Sequence, residues 1–130
     1  GGGYGTAGKQ VIKRADTIMG ATQVEKALEN TNNILKKVAN SKDNALLPTQ
    51  NYVNAETVQM YKEMFEQGKT VSPVDVVNNK GKQYIIDGHH RYLGAKAAGK
   101  EVRVVEMGKG SLVGTTWNSV KAMIGKVKPE

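Results

Sequence analysis

At 130 residues, with 38% hydrophobic and 24% charged side chains, the chain fits a single domain able to bury a core of its own. It has no cysteine, which excludes disulfides, thiolate metal sites and thiol chemistry; no apolar run approaches the ~18–20 residues needed to cross a bilayer, so no membrane partner is expected. The net charge of +7 invites a nucleic-acid partner, but residues 49–107 are nearly balanced, with 8 basic and 7 acidic side chains, and the excess lies on the flanks.

In chain order, five of the first eight residues are glycine and no period is sustained through residue 20. Residues 1–20 are expected to form a flexible lead-in to a domain covering 21–130, the C-terminal part of something longer. From Ala21, Val24, Ala27, Leu28, Ile34, Leu35 and Val38 recur at helical spacing, which predicts an amphipathic helix over 21–42. Leu46-Leu47-Pro48 favours an extended edge segment, since Pro48 disfavours helix at Leu47. A second helix is expected to start at an Asn54 cap, carry Glu56 in its first turn, bury Val58, Tyr61, Met64 and Phe65, and stop at Gly68.

Val74–Val77 and Gln83–Ile86 read as strands joined by the turn Asn79-Lys80-Gly81-Lys82, an antiparallel hairpin. After the second strand and the turn at Asp87–Tyr92, the residues that follow read as a short helix rich in small residues and stopped by Gly99, and Val102–Met107 as a further strand. The spacing of Trp117, Val120, Met123 and Ile124 predicts a last helix over 115–125. The fold class is α+β, with three or four short strands and three or four helices, and the core lies in 45–107.

Chemistry concentrates at Asp87-Gly88-His89-His90-Arg91, between strand and helix. The first N–H groups of a helix lack internal partners and its dipole is positive there, so the turn suits an anion. Arg91 adds a guanidinium able to grip phosphate in bidentate fashion. Side chains of adjacent helical residues point about 100° apart, so His89 and His90 are disfavoured as joint metal ligands and read as phosphate-facing donors. Asp87 has two readings: the N-cap of the helix, or a carboxylate that holds a divalent cation or acts as general base. Gly88 lets the backbone turn and approach a ligand closely.

The succession Val71–Val77, Gln83–Gly99 and Val102–Val105, with its Asp-Gly-His-His-Arg turn, resembles the ParB/sulfiredoxin superfamily over residues 45–107. The resemblance implies a ParB/sulfiredoxin-like fold and a turn that grips nucleotide phosphate through Gly88, His89, His90 and Arg91. Thr49 and Gln50 would then stand on the facing wall. The reactive cysteine of sulfiredoxin has no counterpart, and the stretch after Met107 is too short for the DNA-reading domain of a ParB clamp. Similar domains occur as C-terminal modules of bacterial polymorphic toxins, including contact-dependent inhibition systems. The resemblance therefore implies a toxin delivered as part of a larger secreted or surface protein, acting in the target-cell cytoplasm and held in check by a cognate immunity protein.

On this reading the domain is an enzyme that hydrolyses or transfers the terminal phosphoryl group of ATP or another nucleotide, with Mg²⁺ as a possible cofactor. Gln50 or a carboxylate, Asp87 or Glu56, would position water. A nuclease using the same turn is the alternative, and a non-catalytic nucleotide or nucleic-acid binding module a second one. Replacing His90 or Arg91 by alanine is expected to abolish activity and spare the fold, because the cap is assigned to Asp87.

Overall fold

A computed structural model describes residues 21–41, 46–110 and 114–123. The lead-in assigned to residues 1–20 lies outside the described residues. Helix α1, Ala21–Ala39, buries Ala27, Thr31, Ile34, Leu35 and Val38 along one stripe and leaves Glu25, Lys26, Lys36 and Lys37 exposed. It stops three residues short of the expected limit at 42, with Lys36 and Lys37 in a last turn where the dipole favours cations.

Strand β1, Tyr52–Asn54, leads directly into α2, Ala55–Glu66. Asn54 is the cap: its Oδ1 accepts the backbone N–H of Glu56 at 2.9 Å and of Thr57 at 3.1 Å. At the other end Gly68 takes φ 74, and Lys69 N–H and Gly68 N–H close back on the carbonyls of Met64 and Phe65, at 3.0 and 3.1 Å. Both ends follow the sequence, but the buried face does not. Ala55, Glu56 and Val58 are the buried residues of α2, whereas Tyr61, Met64 and Phe65 are only half-buried. The helix starts in the core and runs out toward solvent.

Strands β2, Val74–Asn79, and β3, Lys82–Asp87, form the expected antiparallel hairpin. Its two turn residues, Lys80 and Gly81, have φ 56 and φ 82, the mirror-image turn that matches the twist of paired strands. Helix α3, His89–Ala98, follows, ended by Gly99 at φ 68. Strand β4, Val104–Lys109, then runs parallel to β2 on its other side, two residues later than the expected 102–107. Leu47 forms a single bridge on the outer edge of β3, donating to Gln83 O at 2.9 Å and accepting from Ile85 N–H at 2.8 Å.

The expected C-terminal helix over 115–125 is corrected. Trp117–Ser119 is one turn of 3-10 helix, and β5, Lys121–Met123, is extended and parallel to β1. Burial of Trp117 and Val120, three residues apart, satisfies a tight turn as well as an α-helix. Pairing Lys121 N–H with Asn51 O at 3.0 Å then draws the chain out as a strand. Residues 124 and 125 lie outside the described residues. The described residues are thus α+β, with three α-helices and two small sheets of three and two strands. One core joins them: Val53, Val58, Val74, Val76, Ile85 and Leu93 are almost fully buried and pack with Ile34, Leu35 and Trp117.

Candidate functional site

The Asp87-to-Arg91 turn is built by β3 on one side and α3 on the other. Gly88 occupies the cap position with φ 109 and ψ 25, and no side chain caps the helix there. A Cβ at Gly88 would meet Val74 Cα at 3.2 Å and Arg91 Nη2 at 3.0 Å, so both the left-handed backbone and the close approach require glycine. The first intrahelical bond runs from Tyr92 N–H to Gly88 O at 2.9 Å. The expected capping role of Asp87 is therefore corrected: Asp87 stands one position too early. Its carboxylate is exposed and meets Arg91 Nη2 at 3.4 Å. The same Nη2 donates to Pro73 O at 3.0 Å, which ties α3 to the start of β2.

His89 and His90 are turned inward, only 5% and 6% exposed. Nε2 of His89 accepts Thr49 N–H at 3.0 Å, with the Thr49 hydroxyl 3.4 Å away, and Nε2 of His90 accepts Asn54 N–H at 3.0 Å. Accepting at Nε2 assigns the proton of each neutral ring to Nδ1. Burial, then the neighbouring His90, lowers His89 to about 4 despite the opposing Asp87 charge. Burial, then Arg91, lowers His90 to about 4 as well. At neutral pH both rings are uncharged. The expectation of two phosphate-facing donors is corrected for Nε2: these atoms are acceptors that pin the 49–54 segment to the helix start. Trp117 closes the back, its ring edge-on to His89 at 6.4 Å and stacked on Tyr92 at 5.8 Å.

In front of the turn is a cleft of about 130 Å³, lined by Gln50, Thr57, Tyr61 and residues 86–91. Gln50 thus stands where expected, its amide Nε2 donating to Tyr52 O at 2.6 Å. Thr49 is not among the lining residues; its hydroxyl donates to Ile85 O at 2.7 Å and acts as a brace. Glu56 is buried in the first turn of α2 and does not line the cleft either, which leaves Asp87 as its carboxylate. Sequence reasoning missed Thr57 and Tyr61 as site residues. Their spacing of four puts both on one face of α2, which was the available signal. Among the described residues no group of three or more His, Asp or Glu side chains is arranged to hold a metal ion.

The arrangement presents the positive end of a helix, one guanidinium, one carboxylate and an amide to a space of about 130 Å³. No family model matches this chain, and no match to it is found among curated proteins or solved structures.

Proposed function

We propose that the domain binds a nucleotide through a terminal phosphate at the start of α3 and hydrolyses it. The reading rests on one observation: α3 begins at Gly88 without a capping side chain, and its first turn opens into the cleft beside Arg91. An anion there satisfies helix-end donors and meets a favourable dipole. Arg91, steadied by Pro73 O and Asp87, supplies a second, directional contact to the phosphoryl oxygens. Asp87 and Gln50 flank the same space and would orient the attacking water.

Mg²⁺ fits this donor set in a limited way. It takes one or two carboxylates plus substrate oxygens, and Asp87 offers the one carboxylate. When bound, it would neutralise charge on the phosphates. By the sequence resemblance, the activity would serve a delivered toxin, depleting ATP in a target cell, and an immunity protein would cover the cleft.

The test is direct: the purified domain is incubated with ATP and Mg²⁺, and separately with plasmid DNA and total RNA. Phosphate release with intact polymers supports the proposal. Cut nucleic acid with intact ATP replaces it by a nuclease, and inertness toward both by a binding module.

A further inference from the structure

Strand β4 closes one side of the three-stranded sheet, and among the described residues it pairs with β2 alone. It exposes three apolar side chains, Val104, Val105 and Met107, at 43%, 38% and 57%. A β-branched strand with an unpaired edge is a template for another strand, and an edge kept solitary is usually blunted by proline, lysine or a bulge. Here the bulge comes late. Residues 104–106 keep register with β2, and the register slips only beyond Glu106, where Gly108 has φ 113.

The backbone of this stretch is self-complementary. Val74 N–H donates to Arg103 O at 2.8 Å, so by the alternation of a strand Arg103, Val105 and Met107 turn their amide groups toward β2, and Val104 and Glu106 turn theirs outward. In an antiparallel pair of β4 with its own copy, opposite residues share a face, so the twofold axis passes through a residue. An axis at Arg103 or Glu106 opposes like charges. An axis at Val104 carries the pairing beyond the start of the strand, and one at Met107 runs into the bulge. With the axis at Val105, Val104 faces the partner's Glu106 on both sides of it, which uses every outward amide of the stretch in four hydrogen bonds. Val105 then meets the partner's Val105 at the closer spacing, and the Arg103 stem lies on the partner's Met107.

We infer that β4 is the contact of a symmetric dimer, in which two copies of the chain join edge to edge about an axis at Val105 into one six-stranded sheet. None of residues 103–107 lines the cleft, so the inference stands apart from the phosphate site. One pair of short strands falls below the roughly 1,200 Å² of a standard interface, so the dimer exchanges with monomer and dominates only at high protein concentration.

Sedimentation equilibrium of the intact chain, from about 1 μM to about 1 mM, covers the range of such weak association. The mean mass should rise from 14.1 kDa toward twice that value. Glu106→Pro removes an outward N–H and spares the ladder to β2, so it should hold the chain at monomer mass with its thermal midpoint in dilute solution unchanged. The register has its own readout, because the chain has no cysteine. At the axis the Cα atoms of the two copies stand about 4.5 Å apart, within disulfide reach, so Val105→Cys should crosslink under mild oxidation. Met107→Cys, more exposed but four strand positions from its own copy, should not. A mass of 14.1 kDa throughout overturns the dimer. Association that survives in Glu106→Pro, or equal crosslinking of the two cysteine variants, overturns the β4 contact. Should the proline variant unfold, the cysteine pair decides alone.

Discussion

His90 shows how a site residue can matter without touching a ligand through the atom one would choose. Its Nε2 accepts the N–H of Asn54, the residue that caps α2, so one imidazole fixes the start of two helices. His90→Ala should destabilise the domain by roughly 2–4 kcal/mol in urea unfolding, since it leaves a buried N–H unpaired and a void behind it. His90→Gln restores an acceptor at similar reach and should recover part of the loss; equal stability of the two variants would remove the hydrogen bond from the account. The expectation that alanine here spares the fold is thus replaced. Acid should act through the same bonds. Both histidines have folded values lowered from 6.5 to about 4, so the unfolded chain binds more protons between those limits. Their contribution is complete above pH 6.5 and is lost as pH falls through about 4. The urea midpoint should therefore drop from pH 7 to pH 5, and a flat profile would show that the rings are not buried neutral. The identity of the turn was legible in the sequence because glycine, paired histidines and arginine after a strand are locally unusual. The inward direction of the rings was not, because it depends on Thr49 and Asn54, which are 40 and 36 residues away.

At the level of elements, α2 and α3 cross closely at Gly94. A Cβ on that residue would fall 2.5 Å from Tyr61 Cβ and 2.9 Å from Lys62 N. Gly94→Ala should cost about 3 kcal/mol, read as a lower thermal midpoint, because backbone must move to admit one methyl group. In the hairpin the opposite change is available. Lys80 holds φ 56 beside Gly81, and Lys80→Asn should add about 1 kcal/mol in the same assay by supplying a residue suited to left-handed backbone. The hairpin, the Asn54 cap and the glycine stops were legible because each is written in four or fewer neighbouring residues. Strands β1 and β5 were not. Each is three residues long, too short for a period, and each exists through the other. Trp117 and Val120 kept a helical spacing by coincidence with a tighter turn.

For the whole molecule, segments far apart in the described chain meet in the core. Trp117 Nε1 donates to Leu46 O at 2.7 Å across 71 residues, and Tyr92, stacked on that indole, accepts Leu46 N–H through its hydroxyl at 3.3 Å. A chain ending at Thr116 should lose cooperative unfolding in circular dichroism, although every residue lining the cleft remains in it. The Leu46 carbonyl would be orphaned and the face of Tyr92 bared. The net positive charge, by contrast, sits mainly outside residues 49–107, the segment that holds the cleft.

The closure of β5 against β1 also sets an order of events. Pairings between distant parts of a chain form late, after local helices and hairpins, because the intervening loop must first be brought together. A chain emerging from a ribosome or threading through a pore from its amino end can make its hairpin and helices early, yet lacks Trp117 and β5 until nearly all the described residues have passed. The domain therefore has a natural delay before β1 and β5 can close, set by where β5 lies in the sequence.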